Sequence, residues 1–401
     1  MRRFLMFAAA LSVACARSPR AAPGGPDSVG ADSAPATEYR AYVVSESADL
    51  VSLVRFGPGG ARLDHTVKTG LMPAEINGPH GIALSPDGRH YFVTVAHGTP
   101  FGTLWKYTTA GDTVVARATL GLYPASLQVS PDGAYAYVAN FNVYGDMVPS
   151  SVSVVATEQM VEVARITTCT MPHGSRFNRE GTRHYSTCMM DDALVEIDTR
   201  LFNVARHFVL SAGREAGMAG APAARTHAAP GATPAAGEGS AHAAHAAAPD
   251  VQCSPTWVEP SPDASRVYVA CNKSDEIVEI DAGSWRFVRR FPAGPGVYNI
   301  AVTRDGRRLL GTNKRGQSVS VIDVATGREL ARIPTKRKVV HGVSITPDDR
   351  YAFVSVEGIG SEPGTVEIVD LRALATVATV DVGQQAAGIE VVSVAARTAT
   401  Q

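Results

Sequence analysis

A tight turn of Ser-Pro-Asp-Gly type recurs six times along this chain, each time between two short apolar strands. It stands at Ser85-Pro86-Asp87-Gly88, Ser130-Pro131-Asp132-Gly133, Asn178-Arg179-Glu180-Gly181, Ser261-Pro262-Asp263-Ala264, Thr303-Arg304-Asp305-Gly306 and Thr346-Pro347-Asp348-Asp349. The spacings are 45, 48, 83, 42 and 43 residues. The 83 is one repeat plus a low-complexity stretch at 211–250, rich in Ala, Gly and Pro. A unit of about 40–45 residues that holds four strands cannot bury both of its faces alone, so the units must stack around an axis. The predicted fold class is all-β: a propeller of four-stranded antiparallel blades.

Each unit reads as strands A to D. In the fourth, Trp257–Pro260, Arg266–Cys271, Glu276–Asp281 and Trp285–Phe291 alternate in the period of two that half-buried strands require. Residues 41–68 read as strands B, C and D with no A, and residues 388–395 read as a lone A strand. Joined, they make a seventh blade and leave no open sheet edge. If strand A runs from top to bottom, the Pro-Asp-Gly turns lie at the bottom. The D-to-A and B-to-C loops then lie on the top face. The bottom face is expected to carry turn chemistry alone.

With 401 residues, 45% hydrophobic composition and a formal net charge of −1, the chain has ample core and no basic excess suited to nucleic acid. Arg2 and Arg3 precede a ten-residue apolar run, Phe4–Val13, which is too short to cross a bilayer. Residues 1–15 therefore read as an export signal. Leu11-Ser12-Val13-Ala14-Cys15 resembles a lipobox with its Leu one place early, so Cys15 is the expected site of lipidation; cleavage after Ala14-Cys15-Ala16 is the alternative. Residues 16–38 read as a flexible tether and 39–396 as the propeller. The 211–250 stretch reads as a disordered top-face insert. The expected location is the periplasm or cell envelope, as a monomer held to the membrane through its lipid alone.

Strand B ends as Tyr137-Val138-Ala139-Asn140 and as Tyr268-Val269-Ala270-Cys271, each after a Ser-Pro-Asp turn. These residues resemble the YVTN-repeat β-propeller family, which includes lactonase-type propellers, over about residues 40–395. The resemblance implies a seven-bladed fold and an exported protein. Asn140 and Asn313 keep the motif's final Asn, whereas Cys188 and Cys271 replace it.

The residue five before each turn is His80, Ala125, His173, Thr256, Tyr298 and His341, with Ala387 in the closing strand. Strand A is innermost, so these side chains are expected to converge on the channel. His80, His173 and His341 suit copper or zinc if they meet, or surround a polar ligand if the channel is wide. Tyr298 and Asn313 complete the expected ligand set.

Cys169 and Cys188 lie 19 apart, and Cys253 and Cys271 lie 18 apart, at matching top-face positions. Two disulfides, 169–188 and 253–271, are expected of an exported chain. The alternative is a sulfur-rich copper site of Cys169, Met171, His173, Cys188, Met189 and Met190. Two further top-face features stand out. One is a basic sector of Lys314, Arg315 and Lys336-Arg337-Lys338; the other is the loop carboxylates Asp191, Asp192 and Glu357. No Ser-His-Asp order, phosphate loop or HExxH motif is present. The sequence thus favours a binding scaffold that presents its top face to a small ligand, metal or protein partner. A lactonase-like hydrolase or a copper redox protein is the alternative.

Overall fold

The computed structural model describes residues 34–70, 75–97, 101–143, 147–223 and 252–394. Cys15 and the tether up to residue 33 lie outside them, as does most of the 211–250 stretch. Seven antiparallel sheets follow one another around an axis. Six are consecutive meanders, numbered here as blades 1 to 6. Blade 7 is composite: Ala386–Val394 pairs with Glu38–Ser45, which continues into Leu50–Gly57 and Gly60–Lys68. Neighbouring A strands touch all the way around, and the closing contact is between Ala386–Val394 and Pro79–Leu84. The predicted blade number and closure are those observed.

The turns form as their chemistry dictates. In blade 1, the Ser85 hydroxyl donates to Asp87 at 2.6 Å, and the Arg89 and His90 amides donate back to Asp87 and Ser85. Gly88 supplies the left-handed corner at φ +67°, which Ala264 and Asp349 must adopt at their equivalent positions with φ 57° and 56°. Between blades the core is apolar. Leu309, Ile322, Ile300 and Phe291 of blade 5 and its neighbour are wholly buried.

One strand is not foreseen by the sequence. Ala216–Ala219 adds a fifth strand to the outer edge of blade 3, paired with Asn203–Val209. Small residues permit it: a Cβ on Gly217 would stand 2.4 Å from the Trp285 ring. Glu215 anchors the strand to Arg290 at 2.6 Å. The beginning of the insert is therefore structured, because a few backbone hydrogen bonds and one aromatic face suffice where no core is available.

Two features of strand A position the channel. First, in every blade its pairing with strand B carries a register shift near the top, as between Pro79 and Ile82 or between Pro172 and Ser175. A bulge of this kind resets the alternation of side chains. Second, the carbonyl of the innermost residue is caught by a side chain from the preceding blade. Thr94 reaches Ala125 O at 2.8 Å, Thr256 reaches Tyr298 O at 2.6 Å, Thr312 reaches His341 O at 2.8 Å and Ser355 reaches Ala387 O at 2.5 Å. Ser126 holds His173 O in the same way. The His-Gly pairs follow from this close approach: a Cβ on Gly81 would meet Ala125 O at 2.3 Å.

Candidate functional site

The innermost positions do converge. His80, His173 and His341 are buried, with His80 ring centroids 6.1 Å from His173 and 5.5 Å from His341. Tyr298 lies between the last two, 5.4 Å from His173 and 4.9 Å from His341. Blades 1, 3, 5 and 6 thus meet at one axial level. Ala125 and Ala387 are small and buried at the same level.

Two hydrogen-bonded groups make up this upper ring. In the first, Glu46, 1% exposed, accepts four hydrogen bonds. Its Oε2 receives His80 Nδ1 at 2.9 Å and Gln385 Nε2 at 3.2 Å; its Oε1 receives His97 Nε2 at 2.8 Å and the Tyr123 hydroxyl at 2.7 Å. Glu46 sits in a 3₁₀ turn, Glu46–Ala48, directly after strand B of blade 7, and its own amide donates to Gln385 O at 3.0 Å. In the second group, His173 Nδ1 donates to Thr256 O at 2.9 Å, and Nε2 accepts from the Tyr298 hydroxyl at 2.9 Å. With the phenol as donor, the His173 ring carries its proton on Nδ1. Burial, reinforced by the charges of Glu357 and Glu46, holds the Tyr298 phenol well above its ordinary range, so it stays a donor. Phe141 and Trp257 wall the His173 ring, and Lys314 Nζ stands 4.3 Å from the Tyr298 centroid.

This arrangement can orient imidazoles, donate and accept hydrogen bonds, and pass protons along a short path. Among the described residues no group of three or more His, Cys, Asp or Glu is disposed to hold a metal ion. Sequence reasoning missed Glu46, His97, Tyr123 and Gln385. Glu46 and His97 each follow a B strand, so the rule that residues after strand B lie on the top face was the available signal. Tyr123 precedes strand A and answers to the same rule.

Asn313 is not part of this group. Its amide donates to Ser318 and Ser320 at 3.0 and 2.9 Å, as Asn140 does to Ser151 and Ser153. Asn140 also accepts from the Gly121 amide at 3.1 Å, clasping strand B to the loop before strand A. In blades 3 and 4 the same place is bridged covalently. Cys169–Cys188 and Cys253–Cys271 are disulfides, with Cα separations of 5.7 and 4.4 Å. The cysteines therefore replace a Gly–Asn clasp, and their sulfurs are unavailable as thiolates, which sets aside the sulfur-rich copper site. Two bridges also fit an oxidising compartment.

The other top-face candidates serve the scaffold. Asp192 accepts the amides of Gln252, Cys253 and Ser254, and Asp191 accepts that of Thr170. Within the basic sector, Lys314 pairs with Glu357 at 3.4 Å, Arg315 with Asp275 at 2.7 Å, and Arg337 with Glu362 at 3.7 Å.

The bottom of the channel departs from expectation. Because of the bulge, the residues three further along strand A also face the axis: Ala83, Gln128, Arg176, Glu259, Ala301, Ser344 and Glu390. They line a cavity of about 290 Å³ near the turns. Turn chemistry alone does not describe this face. Strict alternation would have pointed these residues away from the axis, which is why the sequence did not reveal them.

The same architecture occurs in solved structures. The chain is similar to hydrazine synthase of Kuenenia stuttgartiensis, at 21% identity and TM-score 0.56 over 75% of this chain and 80% of that one. It is similar to a functionally unknown protein of Desulfotomaculum acetoxidans, at 13% identity and TM-score 0.63 over 88% and 98% of the two chains. A candidate 6-phosphogluconolactonase of Bacteroides fragilis shows 13% identity and TM-score 0.62 over 88% and 98%. No family model and no curated protein matches the chain in sequence. These likenesses show the fold: a seven-bladed β-propeller resembling lactonase-type structures.

Proposed function

We propose that the chain is an exported, lipid-anchored binding propeller whose upper ring takes a small polar ligand at the top of the channel. The observation that carries this reading is the convergence of Glu46, His80, His97, Tyr123, His173, Tyr298 and His341 from six of the seven sheets. Core filling alone favours apolar or small side chains there, and an internal polar network costs stability unless every group is satisfied. Convergent polar groups in a concave setting are what ligand recognition requires.

The carboxylate-oriented imidazoles His80 and His97 support a second reading, base-assisted hydrolysis of a lactone, because a carboxylate that fixes an imidazole's orientation prepares its other nitrogen to take a proton. Thermal-shift screening with sugar lactones, sugar acids, Cu(II) and Zn(II) tests both readings, with lactone hydrolysis followed in parallel. A stabilising compound whose effect disappears in Tyr298→Phe and His341→Gln, without turnover, supports the binding role. Turnover abolished by Glu46→Gln supports hydrolysis. Stabilisation unchanged in all three variants removes the upper ring from consideration. Mass spectrometry of the mature N-terminus tests the anchor: an acylated Cys15 is expected, and an unmodified start refutes it.

A further inference from the structure

We propose that the lower ring is a second, separate site that binds a small aliphatic ammonium ion, with Glu390 as its counter-charge. Strands A bring one residue from each blade to the wall of a 290 Å³ cavity, a volume at the small end of ligand pockets. Leu84, Leu127, Val129, Val302, Val343 and Ile345 add apolar edges to a wall that is otherwise mostly polar. Such a wall suits a short chain whose charged head carries most of the interaction.

The charges in the belt do not balance. Arg176 is already committed: its Nε meets Glu259 Oε2 at 3.1 Å, its Nη1 donates to Ser175 O at 2.9 Å, and its guanidinium stacks 4.6 Å from the Trp257 ring. Glu259 is therefore spoken for by Arg176. Among the described residues no ion pair or hydrogen bond reaches the Glu390 carboxylate. At the rim, Arg304 and Asp349 contribute one charge of each sign, and Asp349 accepts the Arg304 and Asp305 amides. The interior is thus left with one carboxylate in excess. Burial pushes the Glu259 carboxyl up to about 7 and raises that of Glu390. Without a guest cation a proton offsets the charge; an ammonium head replaces that proton.

The occupant is organic rather than metallic because too few ligands converge for a metal among the described residues. It is cationic rather than anionic because the one guanidinium in the belt is occupied.

The test is calorimetric titration of the intact chain with n-butylammonium and putrescine, with succinate and 1-butanol as controls. At pH 8 saturable one-to-one binding of an amine is expected, about tenfold or more weaker in Glu390→Gln. Affinity is expected to fall towards pH 5.5, as Glu259 and Glu390 take up protons in the presence of Arg176, Arg304 and Asp349. Tyr298→Phe, in the upper ring, leaves amine binding unchanged. If Glu390→Gln fails to fold, the pH series on the unaltered chain and Glu259→Gln serve in its place. The proposal is overturned if neither amine binds, if Glu390→Gln binds as the parent does, if affinity is the same at both pH values, or if succinate binds in preference.

Discussion

The upper and lower rings of the channel both draw on the seven A strands, at positions three residues apart, yet they differ in kind, and only the upper ring is completed from loops, by Glu46, His97, Tyr123 and Gln385. The upper ring holds imidazoles, phenols and one carboxylate, buried against one another and hydrogen-bonded across blades. The lower ring holds Arg176, Glu259 and Glu390 around open space, with one carboxylate uncompensated. Above, Glu46 and its donors, and His173 with Tyr298, satisfy each other; below, the carboxylates are held in a state that costs energy. A propeller can therefore specialise its two ends independently, because the bulge in strand A sets two rings on the axis and each A strand supplies one residue to each.

This contrast is open to attack by mutation. The largest expected effect is at Glu46. Glu46→Ala removes the acceptor of four donors and leaves them buried, so a loss of about 3–5 kcal/mol is expected in urea unfolding. A loss below about 1 kcal/mol would show that the upper ring is wet and loosely coupled. Next is the covalent pinning of the top face. Cys169→Ser with Cys188→Ser opens a 19-residue loop and should cost about 3 kcal/mol, read as a lower urea midpoint.

The lower ring should behave in the opposite sense. The Glu259 carboxyl is raised from 4.5 to about 7, so the folded state holds that proton more tightly than the unfolded chain does. Its contribution is most favourable below pH 4.5 and is lost as pH rises through about 7. Glu259→Gln removes that dependence. The parent should lose about 1–3 kcal/mol relative to the variant between pH 4.5 and 7.5. Parallel stability curves across that window would erase the distinction between the two rings. The smallest effect lies in the turns below them. Ala264 holds φ 57° where other repeats use Gly, so Ala264→Gly should raise stability by up to about 1 kcal/mol, measured as a small rise in the melting temperature.

The strand-A half of the upper ring was legible because a rigid turn fixed the register: counting five back from each Pro-Asp-Gly corner located His80, His173, Tyr298 and His341. Glu46 escaped because blade 7 is split between the two ends and contributes no such turn. The cysteine pairs were legible from their matching positions, although the Gly–Asn clasp that they replace emerged only from the hydrogen bonds of Asn140. The lower ring was illegible for a different reason. Its residues were aligned just as well, but sequence alone supplied no sign of the bulge that turns them inward, and a shift of one residue in register sends a side chain to the opposite face.

The composite seventh blade also has a temporal meaning. Glu46 belongs to the first strands made, whereas Gln385, which donates to it and accepts its amide through the backbone, lies more than three hundred residues later. The polar ring around Glu46 cannot be assembled until that late segment arrives, and contacts so distant along the chain form slowly. A chain lacking its last strand would form several blades and still lack the carboxylate's setting. The carboxylate-centred upper ring is thereby reserved for molecules whose circle of blades has already closed.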